Sequence, residues 1–315
     1  MVLAAMTLLV PWVASGGEEL AQDLRPQGEK RWSVYIGSGL QYDSNVALDP
    51  SGTQLPGAPS NPADGAFTIS AGGRYDLVDT PRWQANLEYD LYQTLHFRLK
   101  DFNLRSNRVL GSTGYELAPD IWTGVQAGYQ RYALGSQAYS GAPFVTPFVS
   151  LVEGAWGLTQ FVYEHAEVTY LSPPFEDVRD GPIDTASLSQ TWYWGARYFT
   201  VGYEFGSERP RSAAGDDFRE RYNQASIGFG FSPGWRTTVD LTYLFRYENY
   251  PEPNSAADFR TSRQDTVSQF SVSVRRPLTT YFSVGLTYYG TVDDSNIPVY
   301  QYRRNIVTAE LRFAY

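Results

Sequence analysis

The sequence predicts an all-β fold, a transmembrane up-and-down antiparallel β-barrel of about 14 strands. Apolar and polar side chains alternate most clearly in residues 307–315, and similar alternation recurs along the chain, which places the two kinds of side chain on opposite faces of each strand. Aromatic residues make up 16% of the chain, and its 24 Tyr and 8 Trp are of the types favoured at membrane interfaces. Many strands run about ten to fifteen residues, long enough to cross a bilayer when tilted, whereas strands of soluble sandwiches are usually shorter.

The N-terminal segment has features of an export signal. Residues 1–15 form an apolar run that ends in small residues, so we predict a signal peptide that is cleaved after Ser15. No Lys or Arg precedes this run, and the alternatives are a short buried helix or an uncleaved anchor. Residues 16–30 are polar and aperiodic, which predicts a periplasmic tail, and the barrel then covers residues 31–315.

Composition argues against several classes of protein. The mean hydropathy is −0.37, and no apolar stretch long enough for a membrane helix follows the N-terminus, which excludes a helical membrane protein. The absence of Cys excludes disulfides, a thiolate nucleophile and a Cys-based metal site. The net charge of −9 argues against nucleic acid as a partner. We therefore expect no nucleic acid and no cofactor. We assign no metal site, although the acidic pairs Asp216–Asp217 and Asp293–Asp294 could supply loop carboxylates for calcium or magnesium and are otherwise simply solvated.

The first three strands follow from their alternation. Strand one covers about residues 31–45, strand two about 66–77 and strand three about 83–95. Each has large apolar side chains on one face and Gly, Ser, amide or charged side chains on the other. A long polar segment rich in Gly and Pro separates the first two, and a tight turn separates the second and third.

The connections alternate in length. Short turns are predicted near Pro81, Pro119, Gly157, Gly195, Pro233 and Pro277, and longer polar segments near residues 46–65, 97–102, 135–143, 171–183, 207–217, 249–263 and 291–298. Bacterial outer-membrane barrels have short periplasmic turns and longer extracellular loops, so this pattern predicts an outer-membrane location with both termini in the periplasm. The last strand must pair with the first, because lipid cannot satisfy an unpaired sheet edge.

The later strands differ in clarity. Residues 235–247 and 281–291 alternate well. In the sixth strand, Pro147 and the residues after it break the alternation, which predicts a bulge or an irregular strand end. In the seventh strand, the alternating apolar residues are assigned to the lipid face. This assignment places Glu164 on the lipid face as well and His165 on the lumen face.

The inward-facing charges are the candidate functional residues. They carry both signs, so they can line a water-filled passage or form a charge lattice that fixes the barrel. Eight-stranded barrels are filled by side chains and barrels of sixteen or more strands are open channels, and fourteen lies between these cases. The residues predicted to line the lumen are Asp43, Arg74, Asp76, Glu88, Asp90, Arg108, Glu116, His165, Glu167, Glu204, Arg236, Asp240, Arg246, Arg275, Glu310 and Arg312.

The first strand carries a motif. Residues 36–46 read Ile-Gly-Ser-Gly-Leu-Gln-Tyr-Asp-Ser-Asn-Val, which resembles the opening strand of the barrel in surface lipoprotein assembly modifiers and in outer-membrane barrels linked to tetratricopeptide repeats. The resemblance implies a fourteen-stranded barrel and a periplasmic or lipoprotein partner, although the helical repeat domain of those proteins is not in this sequence. The terminal Phe313 and Tyr315 resemble the signal that the barrel assembly machinery reads. This machinery, outer-membrane lipid and lipopolysaccharide are therefore expected partners.

Three functions fit these features. The first is a channel or translocation pore for solutes or exported cargo. The alternative is a non-conducting barrel that anchors or binds a partner at the cell surface or in the periplasm. The remote alternative is a lipid-modifying enzyme, which needs a His beside a carboxylate. Only His96 and His165 exist, with Glu167 on the same face as His165, and we predict no enzyme activity.

Overall fold

The structure is a computed structural model that describes residues 30–50, 59–257 and 259–315. The predicted signal peptide, residues 1–15, lies outside the described residues, as does the predicted periplasmic tail except for Lys30. In the described part of the chain, no helix has the length and apolar character that a membrane span requires.

Fourteen antiparallel strands in the described residues form one closed barrel, in which each strand pairs with its neighbours in sequence. β1 pairs with β14 from Tyr35↔Ala314 to Asp43↔Ile306, which closes the barrel. The predicted fold class is confirmed. The strands are β1 Trp32–Asp43, β2 Asp64–Asp79, β3 Trp83–His96, β4 Leu104–Ala118, β5 Ile121–Leu134, β6 Gln137–Glu153, β7 Gly157–Tyr170, β8 Gly181–Trp194, β9 Arg197–Glu208, β10 Glu220–Gly234, β11 Thr237–Pro253, β12 Ser262–Pro277, β13 Phe282–Ser295 and β14 Tyr302–Ala314.

The two ends of the barrel differ. One end, which we call the turn end, holds the start of β1, the end of β14 and the short turns that follow β2, β4, β6, β8, β10 and β12. The opposite end, the loop end, holds the longer connections, with short 3-10 helices in several of them. The long connection predicted at residues 135–143 is wrong, because Gly135 and Ser136 alone join β5 to β6. Gly135 has a φ of 59°, which suits a two-residue hairpin turn.

The outward face is apolar, and aromatic rings gather at its turn-end rim. Ile36 is 60% exposed, whereas the next residue, Gly37, is buried on the lumen side. The ring of Tyr315 lies 5.2 Å from that of Trp32 and 5.6 Å from that of Tyr281, measured between ring centroids. An apolar outer band bordered by aromatic residues is the surface that a lipid bilayer covers.

Strand β6 is more regular than the sequence suggests. Its pairing with β7 keeps one register over its whole length, so the bulge predicted at Pro147 is wrong. Pro147 points outward and lacks an N–H group, which weakens the ladder locally without changing the alternation of side chains. The register of β6 shifts instead against β5, next to Tyr132 near the loop end.

Strand β7 presents the opposite face to the lumen from the one predicted. Phe161 and Tyr163 are exposed on the outward side. Glu164 turns inward, where its carboxylate accepts a 3.0 Å hydrogen bond from the hydroxyl of Thr146 on β6. The prediction that Glu164 faces lipid is therefore wrong, because Phe161 and Tyr163, and not the aliphatic residues of β7, occupy the lipid-facing positions.

Candidate functional site

The lumen wall carries most of the candidate residues. Each of them alternates along its strand with outward side chains, and their partners in the neighbouring strands also face inward. The candidate residues that the structure places on this wall are Asp43, Arg74, Asp76, Glu88, Asp90, Arg108, Glu116, Glu204, Asp240, Arg246, Arg275, Glu310 and Arg312.

Three candidate residues lie elsewhere, and their assignment to the lumen is wrong. His165 and Glu167 point outward because β7 presents its other face to the lumen. The Nδ1 atom of His165 lies 2.8 Å from Asp184, and Arg211 lies 2.8 Å from Glu167, so both belong to an outer-surface network near the loop end. Arg236 is exposed in the turn before β11 with a φ of 58°, which a strand residue does not adopt.

Rows of three residues brace the lumen wall. Tyr35 of β1, Gly72 of β2 and Asp90 of β3 are direct neighbours across the sheet. The hydroxyl of Tyr35 donates a 2.8 Å hydrogen bond to Asp90, so the ring spans the glycine between them. A Cβ atom at Gly72 would lie 2.5 Å from the Tyr35 ring, which only glycine avoids. The ring therefore lies along the wall and does not project across the lumen.

The same row recurs on the other side of the barrel. Tyr198 of β9, Gly230 of β10 and Asp240 of β11 are also direct neighbours, and the Tyr198 hydroxyl donates to Asp240 at 2.8 Å. A Cβ atom at Gly230 would overlap the Tyr198 ring, and one at Gly206 would overlap the ring of Tyr222. Glycine, tyrosine and a carboxylate thus form a repeated unit that holds lumen carboxylates against the wall.

The lumen is packed toward the loop end and accessible toward the turn end. Near the turn end, Thr238 and Arg275 on the lumen face are exposed. Near the loop end, Asp43 and Asp265 are 0% exposed. We call the buried charged residues there the loop-end layer, and they are Asp43, Asp64, Arg179, Glu208, Glu220, Arg246, Glu248, Arg263, Asp265 and Asp293. Lumen side chains are therefore accessible near the turn end and buried at the loop-end layer.

Asp43 fastens the seam between β1 and β14. Arg304 of β14 donates to both carboxylate oxygens of Asp43, at 2.5 to 3.1 Å. The backbone N–H of Asn45 donates to the same carboxylate at 2.9 Å, and the Asn45 amide donates to the carbonyl of Arg303 at 3.1 Å. Two residues of the strand-one motif therefore hold the transition from strand to loop.

The connection between β7 and β8 inserts an arginine into the loop-end layer. Arg179 donates to the two carboxylate oxygens of Glu208 at 2.5 and 2.8 Å. Its guanidinium lies 5.2 Å from the ring centroid of Tyr170 and 5.0 Å from that of Phe218. Burial alone lowers the pKa of Arg179, but the attraction of the Glu208 carboxylate raises that pKa well above its ordinary value. The pair stays charged and ties this connection to the end of β9.

A second arginine is enclosed by aromatic rings on β11 and in the β13–β14 connection. The guanidinium of Arg263 lies 4.3 Å from the ring centroid of Tyr250 and 3.7 Å from that of Tyr300. Arg263 is also ion-paired with Asp265, two residues along the same strand.

The sequence reasoning missed much of the loop-end layer, although a signal for it exists. An Arg followed two residues later by an acid places both charges on one face of a strand. Arg74 lies 2.8 Å from Asp76 in such a pair, and Arg246 lies 3.5 Å from Glu248. The same spacing joins Arg263 to Asp265, which places these residues in strands and not in loops.

The fold matches solved outer-membrane channels. The anion-selective porin from Comamonas acidovorans matches with a TM-score of 0.53 and 8% identity, over 90% of this chain and 98% of that one. The channel DcaP of Acinetobacter baumannii gives 0.53 and 8%, over 90% and 96%. The CymD monoaromatic hydrocarbon channel gives 0.51 and 9%, over 96% and 93%. The chain has the fold of an outer-membrane channel barrel. At these identities the likeness shows the fold alone.

The sequence comparisons add no family. No protein family matches the sequence, and no curated protein is similar to it. The resemblance of strand one to surface lipoprotein assembly modifiers is not tested by the structural matches, and it stays a prediction.

Proposed function

We propose that the protein is an outer-membrane channel for small solutes and that it prefers cations. The observation that carries this proposal is the sign of the lumen charge. Among the described residues, the carboxylates on the lumen side are Asp43, Asp64, Asp76, Glu88, Asp90, Glu116, Glu164, Glu204, Glu208, Glu220, Asp240, Glu248, Asp265, Asp293 and Glu310. The guanidinium groups there are fewer: Arg74, Arg108, Arg179, Arg246, Arg263, Arg275, Arg304 and Arg312. A passage lined by one excess sign concentrates ions of the other sign.

The solved channels support the fold of a channel and not its selectivity. The matching protein from Comamonas acidovorans is named as anion-selective. The lumen of this chain has an excess of carboxylates, so we propose the opposite preference on the same kind of barrel. Selectivity then comes from the wall residues, since the barrel itself is shared.

We also propose that the turn end faces the periplasm and the loop end faces the outside, as in other outer-membrane barrels. Exposed arginines on the outward faces of the strands near the loop end support this orientation: Arg105, Arg131, Arg221 and Arg303. Within the described residues, no carboxylate pairs with their side chains. Guanidinium groups bind phosphate well, so lipopolysaccharide phosphates are suitable partners for them.

Planar-bilayer recording across a KCl gradient tests the channel. We expect stepwise current and a reversal potential with the sign of K⁺ preference. The double variant Asp240→Asn, Glu310→Gln removes two lumen charges and should move the reversal potential toward zero. Glu167→Gln is the control, because that carboxylate is on the outer surface and should leave the potential unchanged. A reversal potential with the sign of Cl⁻ preference would contradict the proposal.

The loop-end layer favours a second candidate, a non-conducting barrel that binds a partner through its open turn end. The deciding measurement is current from protein that is folded and inserted. The wild type should be compared with a variant in which residues 213–218, which pack on Arg179 through Phe218, are replaced by a Gly-Ser linker. Absence of current from both would support this candidate and overturn the channel.

A further inference from the structure

We propose that the loop end of the barrel contains a binding site for a divalent cation of the Ca²⁺ type, formed around Asp293 of β13 and Asp265 of β12. The site goes beyond the proposed function, because binding of the ion requires no passage of ions through the barrel.

The register brings carboxylates from three consecutive strands to one region. Glu248 of β11 lies directly opposite Asp265 of β12. Asp293 of β13 lies opposite Val267, and is therefore the diagonal neighbour of Asp265 on the same lumen face. Diagonal neighbours have Cα atoms about 7–8 Å apart, which lets two carboxylates approach one ion from two sides at the roughly 2.3–2.6 Å that Ca²⁺ requires.

One carboxylate oxygen of Asp293 is buried without a hydrogen-bond partner. Asp293 is 5% exposed, its Oδ1 atom accepts no hydrogen bond, and no cationic side chain of the described residues pairs with it. A buried carboxylate oxygen without a donor loses its hydration and gains nothing in return. This is the observation that points to a ligand, because a cation would supply the missing partner.

Asp265 lies next to Asp293 and is 0% exposed. It is ion-paired with Arg263, two residues along the same strand. Arg246 is ion-paired with Glu248 and Arg263 with Asp265, so Asp293 is the one carboxylate of the three that has no arginine partner among the described residues. The group holds three carboxylates and two arginines in a place with little access to water.

A cavity of about 280 Å³ lies beside Asp293. It is bounded by Asp293, Asp294, Gln301, Tyr302 and Arg303. The Gln301 amide nitrogen donates to the backbone carbonyl of Ser295 at 2.6 Å, which leaves its amide oxygen for another contact. Carboxylate and amide oxygens are the ligands that Ca²⁺ prefers.

The protein supplies only part of a coordination shell. No three Asp, Glu or His side chains of the described residues converge closely enough to hold a metal by themselves. The cavity has room for several water molecules, each of which occupies about 30 Å³ in the liquid. Water therefore completes the shell, which gives a weak and exchangeable site.

Terbium luminescence tests the site. Tb³⁺ substitutes for Ca²⁺ and emits when a nearby aromatic ring is excited, and Tyr302 borders the cavity. With the folded wild-type barrel in detergent, we expect saturable Tb³⁺ emission that Ca²⁺ displaces. Asp293→Asn should abolish the emission. Asp76→Asn is the matched control, because this lumen carboxylate lies far along the barrel and is paired with Arg74, and emission should remain.

Thermal unfolding supplies a second readout. Asp293→Asn keeps the shape of the side chain and removes a carboxylate that has no ion-pair partner among the described residues, so the variant should fold, which the mobility of the unheated barrel in gel electrophoresis verifies. Ca²⁺ should raise the unfolding temperature of the wild type and leave that of Asp293→Asn unchanged. Absence of saturable emission from the wild type, or full emission from folded Asp293→Asn, would overturn the site. Neither measurement uses current, so failure of the channel proposal is a separate result.

Discussion

Individual glycines set the shape of the lumen. A tyrosine beside an ordinary residue would have to stand out from the wall, whereas Tyr35 and Tyr198 lie over glycines and reach carboxylates two strands away. The ring covers the exposed backbone of the glycine, and its hydroxyl satisfies a charge that would otherwise depend on water. Each of these rows therefore stabilises the sheet and holds its tyrosine ring against the lumen wall.

Gly230→Ala should destabilise the barrel by about 1–3 kcal/mol, because the new methyl group overlaps the Tyr198 ring and breaks its hydrogen bond to Asp240. Gly228→Ala is the matched control on the same strand and face, where the nearest atom to the new Cβ is Thr200 Cβ at 3.6 Å. The free energy of unfolding in urea, measured with the barrel in lipid vesicles, checks both. Equal losses from the two variants would show that the ring contact is not the cause.

Which face of a strand meets lipid could be predicted from the sequence only where apolar residues occupy one face alone. In β14, Leu311 and Phe313 are apolar while Glu310 and Arg312 between and beside them are charged, and the structure agrees with the sequence. In β7 both faces carry apolar residues, so the alternation alone does not choose between them. The choice depends on cross-strand neighbours such as Leu188, which pairs with Phe161 and which a single sequence does not reveal.

The ends of strands at the loop end were also beyond sequence reasoning. The polar residues in 249–263 and 291–298 have the composition of exposed loops, yet β11 extends to Pro253, β12 begins at Ser262 and β13 extends to Ser295. Arg263 and Asp293 in these segments are buried, and the rings of Tyr250 and Tyr300 cover the guanidinium of Arg263. Such tertiary compensation leaves little trace in composition.

The last strand should be required for assembly. The backbone of Tyr315 exchanges hydrogen bonds with Val34 at 2.9 and 3.0 Å, and its ring contacts Trp32. We expect Tyr315→Ala to lower the amount of folded barrel in the outer membrane, and deletion of residues 313–315 to lower it further. Tyr315→Phe, which keeps the aromatic ring, should be close to wild type. The unheated, fast-migrating band in gel electrophoresis measures the folded fraction.

A lower amount of folded barrel could result from poor recognition by the assembly machinery or from lost pairing between β14 and β1. A refolding experiment separates these two causes. If the deletion variant folds into vesicles as fast as the wild type, the defect belongs to recognition by the assembly machinery. If it does not, the missing backbone pairs with β1 are responsible. Undiminished amounts of both variants in cells would contradict a role for these residues.

The whole molecule is an apolar cylinder around a polar lumen, the reverse of a soluble protein. Charged substitutions should therefore have opposite tolerances on its two faces. Leu286→Arg, on the outward face where Leu286 is 52% exposed, should cost about 2 kcal/mol in vesicles. Thr287→Arg, the next residue and on the lumen face, should cost less. Urea unfolding in the same vesicles checks this, and a larger loss from Thr287→Arg would contradict the assignment of faces.

The uneven filling of the lumen makes the two directions across the barrel inequivalent. An ion that enters at the turn end crosses accessible water first and reaches the loop-end layer last, and an ion from the other side meets that layer at once. Most of an applied voltage then falls across one short stretch of the barrel, close to one membrane surface. A channel built in this way rectifies, and the sign of the rectification reports which way the barrel has inserted.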